Sequence, residues 1–393
     1  MTTQTPPTQP TQPTAPPLVA TVVLRSYNRL AAACDALDAC LTQDYPHLEV
    51  LVIEQSTRFT PAEQARLGQL AADPRVVIAK RPPLGGPGSR NEACRIATGD
   101  IIIMLDDDDI PGHPGWLTAF MRNFDDPRCL AVTGRHQVEG QVGPPYANMA
   151  RARARVLSYS ALMWQRCYTQ VDIRSERILN IHGTNSAIRR SSLERFGMWD
   201  TCTTIEDENS LCYRIQRGKR ADEYMVFDPE AWILRRLDIA GGLDKRVMSS
   251  VGFGRRLFHY LHNVVGHYHR ARFLALYPAY VALLWFHICE RVYDGESWKY
   301  KDAKLRKAVS LAAFTLAFPA LWVSWAVPWA IGRITGGPLE RGPQLAPRQA
   351  QPSLEGCEDR AGVDVLPVGE QEEHRRERAA AHGEHAGARS QAR

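Results

Sequence analysis

The stretch that most constrains this chain is Asp100 to Pro111, which reads Asp-Ile-Ile-Ile-Met-Leu-Asp-Asp-Asp-Asp-Ile-Pro. Ile101 to Leu105 is apolar, rich in β-branched side chains and shorter than a helix of about 10 residues, so it reads as a strand buried on both faces. The strand runs directly into four carboxylates, Asp106, Asp107, Asp108 and Asp109. Adjacent like charges repel, and a divalent cation with oxygen ligands is their natural counter-charge. In an open α/β sheet, ligands sit beyond the carboxyl ends of the strands, where this run falls. The plainer interpretation is a solvated acidic turn. Attachment to a core strand and the stop at Pro111 favour a site.

Around that stretch, apolar runs of strand length alternate with helical periodicity. Leu18 to Leu24 reads as a buried strand opening into the polar loop Arg25-Ser26-Tyr27-Asn28-Arg29. Leu30 to Thr42 carries Leu30, Ala33, Leu37, Cys40 and Leu41 at helical spacing. Leu48 to Ile53 is a second strand ending at Glu54-Gln55-Ser56, Pro61 to Ala72 a helix with Pro in its first turn, and Val76 to Ala79 a third strand. Further helices are expected at about Ser89 to Ala97, Trp116 to Phe124, Ser191 to Phe196 with a serine cap, and Glu206 to Arg217 with an acidic head. Leu130 to Thr133, Tyr224 to Phe227 and Ala231 to Leu234 read as strands, while Arg151 to Gln170 reads either as a long basic helix or as an insertion. This alternation predicts an α/β fold whose mostly parallel sheet is flanked by helices.

A chain of 393 residues, 44% hydrophobic and 23% charged, has enough material for a real core and is not disordered throughout. Its net charge of +5 is too mild to imply a nucleic-acid partner. Arginine clusters at Arg151/Arg153/Arg155, Arg235/Arg236, Arg255/Arg256 and Arg270/Arg272 suit phosphates or an anionic membrane surface. The nine cysteines include no Cys-x-x-Cys, which argues against a zinc ribbon or disulfide framework and for a reducing compartment. Composition divides the chain into a Thr/Pro/Gln-rich disordered lead at 1–17 without signal-peptide character, a globular domain at 18–256, membrane-associated amphipathic and apolar helices at 257–335, and a disordered tail at 336–393.

The membrane expectation rests on two uncharged runs. Phe273 to Cys289 has 17 residues and is broken by Pro278; Ala308 to Gly332 has 25, enough to cross a bilayer core of about 30 Å. The loop between them, Glu290 to Lys307, holds six basic and four acidic residues. Keeping that loop cytoplasmic means that only the longer run spans, the shorter lying in the interface, with the globular domain on the cytoplasmic face and held there through 273–332. The competing interpretation is a pair of core helices packed behind the domain.

Several short motifs follow one another along the chain. They are Ser26-Tyr27-Asn28-Arg29 after the first strand, Gly88-Ser89-Arg90-Asn91, Gly99-Asp100 before Leu105-Asp106-Asp107-Asp108-Asp109, Gly183-Thr184-Asn185-Ser186, Phe196-Gly197-Met198-Trp199-Asp200, and Glu206-Asp207 leading to Arg214-Ile215-Gln216-Arg217-Gly218. Together, over roughly Leu18 to Arg256, they resemble the family 2 glycosyltransferases, which have the GT-A nucleotide-sugar-binding fold. The resemblance implies an inverting transfer from a nucleotide-diphosphate sugar to a hydroxyl acceptor, a saccharide that is free or lipid-linked, in cell-envelope or polysaccharide synthesis. It maps the Asp-x-Asp element to Asp106 and Asp108 as ligands of Mg²⁺ or Mn²⁺, with Asp106 also at the donor and Asp109 a possible helper. It makes Asp207 the general base, with Glu206 as a like-charged neighbour; an acidic helix start stabilised by the dipole fits the same residues. It places Ser26, Asn28, Glu54 and Arg90 at the donor.

Two departures from the family pattern are visible. The second strand ends in Glu54-Gln55-Ser56-Thr57 where the family usually has Asp, often Asp-Asp-Gly-Ser, so the identity of the base is open. Arg235-Arg236 stands where processive relatives carry a Gln/Arg-x-x-Arg-Trp element, and without the Trp a non-processive enzyme is implied, its basic residues steering diphosphates. A nucleotidyltransferase would need a Gly-rich loop with Lys after the first strand, which Arg25 to Arg29 lacks, and a polyprenyl synthase would be all-helical. A catalytically silent nucleotide-sugar sensor or membrane scaffold is the alternative from another class.

Overall fold

The computed structural model describes residues 16–138, 172–201 and 207–236, the short strands Ser158–Tyr159 and Trp164–Gln165, and the single positions 239, 282, 312 and 316. The first part alternates as the periodicity predicts: β1 (Ala20–Ser26), α1 (Leu30–Leu41), β2 (Leu48–Glu54), α2 (Pro61–Leu70), β3 (Val76–Lys80), α3 (Gly85–Ile96) and β4 (Ile101–Asp106). There follow β5 (Asp109–Pro111), α4 (Trp116–Met121) continued by a 3₁₀ turn at Arg122–Asp125, β6 (Cys129–Val138), the strand pair β7 (Ser158–Tyr159) and β8 (Trp164–Gln165), β9 (Ser175–Glu176), β10 (Ser186–Arg189), α5 (Arg190–Phe196), α6 (Asp207–Gly218) and β11 (Tyr224–Arg235). Among the described residues no helix is long and apolar enough to cross a membrane. The segments read as membrane-associated, 257–335, and as a tail, 336–393, lie outside the described residues but for three single positions, as does Glu206.

Nine of the described strands form one sheet ordered β3-β2-β1-β4-β10-β6-β11-β5, with β9 on β11, while β7 and β8 pair with each other apart from it. The sheet is mixed, and its longest ladders, β11 on β6 among them, are parallel as expected. From β3 to β4 every pairing is parallel, whereas β10 runs antiparallel between β4 and β6, and β5 and β9 run antiparallel to β11. Parallel pairing needs a crossover, which α1 to α3 supply; β10 is reached by the long excursion after β6 and returns in the opposite sense.

The alternation along β4 shows why the centre of the sheet is apolar on both sides. Ile101, Ile103 and Leu105 pack with Leu30, Leu37, Trp116 and Phe120 on the side of α1 and α4. Ile102 and Met104 pack with Cys94, Leu193, Leu211 and Ile215 on the side of α3, α5 and α6. Full burial of each such side chain contributes about 1.5–3 kcal/mol, so β4 is among the most firmly held elements of the fold. The four carboxylates therefore leave an anchored strand.

Local chemistry sets several boundaries. Thr60 and Glu63 form a reciprocal capping box at the start of α2, with Pro61 in the first turn. Helix α3 begins at Gly85, four residues before the predicted Ser89: Gly85 turns at φ +71° and Gln55 Oε1 accepts from Leu84 N at 2.8 Å, so a tertiary contact starts a helix that Gly-Gly-Pro-Gly disfavours by propensity. No serine caps α5. It starts at Arg190, and Ser192 Oγ instead donates to Leu130 O at 3.3 Å. The two strands read at Tyr224 to Phe227 and Ala231 to Leu234 are one, interrupted where the register against β6 shifts between Asp228 and Ile233. Pro229 lies in that gap and has no N–H to give to a ladder. Opposite the irregularity, a Cβ on Gly134 would meet the Ala231 carbonyl oxygen at 1.8 Å, so the approach of β6 to β11 requires glycine.

Candidate functional site

The carboxyl ends of β1, β2 and β4 meet in register, with Ser26 opposite Glu54 and Arg25 opposite Asp106. The acidic run leaves β4 here and its four side chains alternate. Asp106 and Asp108 retain 29% and 20% of their side-chain exposure, whereas Asp107 and Asp109 retain 1% and 0%. Each carboxylate is met by an arginine. Arg25 pairs with Asp106; Arg29 pairs with Asp107, its Nε donating to Oδ2 at 3.1 Å, and reaches Asp108 Oδ2 at only 3.4 Å. Arg235 forks onto Asp109, Nε to Oδ1 and Nη2 to Oδ2, both at 2.8 Å.

These contacts separate the roles of the four. Asp109 also accepts from Thr184 Oγ1 at 2.9 Å, and that hydroxyl accepts from the Asp106 amide at 3.0 Å, so Asp109 fixes the backbone of Asp106 through Thr184. Burial works against the charge of Arg235, but Asp109, Asp108 and Asp106 outweigh it and raise its pKa above the usual range. For Asp107 burial prevails over the opposing Arg29, and its carboxyl is pushed up to about 7. For Asp106 burial is overcome by Arg25, Arg90 and Arg235, which hold the carboxyl below its ordinary value.

One carboxylate oxygen from each of Asp106, Asp108 and Asp109 lies within 4.8 Å of the others. Two oxygens on a Mg²⁺ ion with ligands at about 2.1 Å stand roughly 3–4 Å apart, so a small inward movement would bring such a set onto one ion. Asp106 and Asp108 suit this by exposure. Both oxygens of Asp109 already carry a bond from Arg235, which makes Asp109 the less apt third ligand.

The other expected donor residues fall into two groups. Ser26 and Glu54 are buried side by side; Ser26 Oγ and Glu54 Oε2 have no hydrogen-bond partner among the described residues, while Glu54 Oε1 accepts from the Ser56 amide. Unsatisfied buried polar atoms cost about 1–3 kcal/mol each, a cost that a bound polar group would remove. Asn28 is engaged otherwise: at φ +55° its Oδ1 accepts from Thr57 N at 2.8 Å and Arg58 N at 3.0 Å, tying the β1–α1 loop to the β2–α2 loop. Arg90 is buried on α3 and donates from Nη2 to Gly183 O at 3.0 Å. Arg236 turns away to Asp35 on α1 at 2.6 Å, while its amide donates to Asp108 O at 2.9 Å.

Asp207 is the first residue of α6. Its neighbour Glu208 brings that turn to the site, since a Cβ on Gly183 would lie 3.4 Å from Glu208 Oε2 and 2.7 Å from Arg90 Nη2. Beside it His136 and His182 meet edge to face at 4.8 Å, and burial, then Arg235, pushes His182 down to about 3. Other quoted motifs act as joints. Asn91 and Trp199 exchange two bonds, Nδ2 to Trp199 O at 2.8 Å and Trp199 N to Oδ1 at 3.0 Å. Asn185, at φ +50°, accepts from Trp116 Nε1 and donates to the carbonyls of Arg135 and Ala231.

Sequence reasoning assigned no role to Arg25, Arg29 or Thr184. The signal for Arg25 was a cation at the end of an otherwise buried strand; the roles of Arg29 and Thr184 arise only from contacts far apart in the chain.

Residues 21–197 match the sequence model of the family described as Glycosyl transferase family 2. A probable glycosyltransferase, YdaM, of Bacillus subtilis is 24% identical over 224 residues, 54% of this chain and 51% of its own. The poly-beta-1,6-N-acetyl-D-glucosamine synthase of Staphylococcus epidermidis is 23% identical over 237 residues, 58% of this chain and 53% of its own. The chain thus spans about half the length of these curated relatives. Among solved structures, a mannosyltransferase of Pyrobaculum calidifontis in complex with GDP-Man and Mn²⁺ aligns over 81% of this chain and 79% of its own, at a TM-score of 0.46 and 19% identity.

Proposed function

We propose that this chain, whose residues 21–197 belong to glycosyltransferase family 2, moves a sugar from a nucleoside-diphosphate sugar to a hydroxyl acceptor with inversion at the anomeric carbon. The observation that carries this reading is the pairing of two partly exposed carboxylates, Asp106 and Asp108, with the partnerless polar atoms of Ser26 and Glu54 at one end of the sheet. Ser26 and Glu54 bind the nucleoside by hydrogen bonds to ribose or base. Asp106 and Asp108 would hold Mg²⁺ or Mn²⁺, which would supply positive charge to neutralise a departing diphosphate. Arg90, fixed on Gly183 O, presents a second positive charge from α3.

Asp207, at the start of α6, takes the acceptor proton. As the acceptor oxygen bonds to the anomeric carbon, the bond from that carbon to the diphosphate breaks and its electron pair leaves with the nucleoside diphosphate. The acceptor is a saccharide, free or lipid-linked, a reading supported by the polysaccharide synthase among the relatives. Absence of Trp after Arg235-Arg236 favours addition of one or a few sugars. The uncharged runs within 273–332 favour action at the cytoplasmic face of a membrane.

The test is a screen of UDP-, GDP- and dTDP-sugars for transfer or donor hydrolysis with Mn²⁺ or Mg²⁺, repeated with Asp207→Asn. Expected is turnover with one donor class, lost in chelator and lowered at least about 10²-fold by the substitution, with donor binding retained. Turnover insensitive to chelator would remove the metal from the reading, and full activity of the variant would remove Asp207 as base.

A further inference from the structure

Arg25 lies one position before the end of β1, directly opposite Asp106. Its guanidinium is shared among unlike environments. Nη2 is paired with Asp106 Oδ1, Nη1 makes only a 3.5 Å contact with Gly86 O, and Nε is buried without a hydrogen-bond partner. A second guanidinium converges on the same place: a Cβ built on Gly86 would lie 3.7 Å from Arg25 Nη1 and 3.9 Å from Arg90 Nη1. Glycine leaves this part of α3 bare, so both cations face the backbone.

Two guanidinium groups drawn together in a half-buried cleft repel unless anionic charge stands between or beside them. Asp106 supplies that charge to Arg25, yet Asp106 is also a carboxylate suited to a divalent cation. A carboxylate shared between a guanidinium and a divalent cation serves neither at full strength, because the two positive charges that it draws together repel. When a cation takes Asp106, Arg25 loses its partner and becomes a cation with spare donors, beside Arg90 and next to the place where the donor's diphosphate would lie.

We propose that Arg25 is a displaceable counter-ion, paired with Asp106 in the absence of donor and transferred to the donor's diphosphate when a divalent cation takes Asp106. This rests on the nucleotide-sugar reading given above. It makes cation and nucleotide bind with positive linkage: the cation alone must break the Arg25–Asp106 pair, whereas with nucleotide present the freed guanidinium finds a new anion. Removing the charge at position 25 then shifts two affinities in opposite directions.

The experiment measures, on the full chain, binding of Mn²⁺ alone by its paramagnetic resonance signal, and binding of GDP, UDP, dTDP and inorganic pyrophosphate in saturating Mn²⁺ by calorimetry, for the unaltered protein, Arg25→Gln and Arg25→Lys. Arg25→Gln is expected to bind Mn²⁺ alone about threefold or more tightly, and the preferred nucleotide about tenfold or more weakly. Arg25→Lys, which keeps the charge but not the fork, should fall between for both ligands. Parallel weakening of Mn²⁺ and nucleotide in both variants would make Arg25 a structural residue and overturn the proposal, as would nucleotide affinities equal to those of the unaltered chain. Loss confined to pyrophosphate, with all three nucleotides unaffected, also overturns it. If the unaltered chain binds none of GDP, UDP and dTDP with Mn²⁺, the nucleotide-sugar reading itself falls and the inference with it.

Discussion

Replacing Asp109 with Asn changes one oxygen to an amide nitrogen and removes one charge, while leaving shape and volume almost unchanged. The carboxylate lost has no exposure and accepts three bonds, two from Arg235 at 2.8 Å and one from Thr184 at 2.9 Å. Breaking a buried ion pair by removing one partner costs about 3–5 kcal/mol, because the remaining charge stays desolvated. Arg235 retains 23% of its side-chain exposure and the Asn oxygen still accepts one bond, so the lower end applies, about 3 kcal/mol. In a folded region of this size, that lowers the thermal midpoint by roughly 6–12 °C. Trp116 and Trp199 are buried on opposite faces of the sheet, so tryptophan fluorescence during denaturation reports the loss of both. The shift should be equally large in chelator and in Mn²⁺. An unchanged midpoint together with abolished Mn²⁺ binding would refute the reasoning, since Asp109 would then be a ligand of the cation and not the anchor of Arg235.

Asp108→Asn should do the opposite: its ion contact with Arg29 is a long 3.4 Å, so the denaturation midpoint is expected to change by no more than about 0.5 kcal/mol equivalent while Mn²⁺ affinity is lost, as calorimetry would show. Burial and then Arg235 push His182 down to about 3, below the ordinary value of 6.5, so the unfolded chain takes up its proton first. The stability tied to neutral His182 is therefore complete above about pH 6.5 and declines as pH falls toward 3, by a few kcal/mol in all; urea titrations at pH 7.5 and 5 should show that decline reduced in His182→Phe. Gly134→Ala places a methyl group 1.8 Å from the Ala231 carbonyl oxygen, so β6 and β11 must part, and a loss of about 3 kcal/mol or more should appear as a lowered midpoint or failure to accumulate soluble protein.

What sequence pattern reveals here is what depends on period and on neighbours in the chain. Strands β1 to β4 and helix α1 follow directly from apolar runs and 3.6-residue spacing, and even the buried double face of β4 follows from Ile101 to Leu105, whereas the start of α3 does not. Long-range pairing was beyond reach. No local signal tells β10 to run antiparallel between β4 and β6, or joins two apolar runs into β11 across Pro229. The serines before Leu193 looked like a helix cap because that pattern is local, but the backbone of β6 claims Ser192 from 62 residues away. Asn28 and Asn91 follow the same rule: the family resemblance put Asn28 at the donor and gave Asn91 no role of its own, while the hydrogen bonds that both make, joining loops and helices distant in sequence, had no local signal.

The acidic run illustrates how a charge problem read from sequence is divided by the fold. Four adjacent carboxylates call for counter-charge, and a cation alone was the natural expectation from the residues themselves. Because successive side chains at the strand end point to opposite sides, the demand splits. Asp107 and Asp109 turn inward, where their partners are Arg29 and Arg235, and so they organise the backbone of the run. Asp106 and Asp108 turn outward, where the contacts are with Arg25 and a long reach of Arg29. An inward pair needs partners that never leave, since a buried carboxylate without one costs several kcal/mol. An outward pair can exchange partners, since water and incoming charges reach it. The same four residues thus provide both a fixed frame and an exchangeable pair, and it is the exchangeable pair that makes a cation-dependent site physically reasonable at the end of β4.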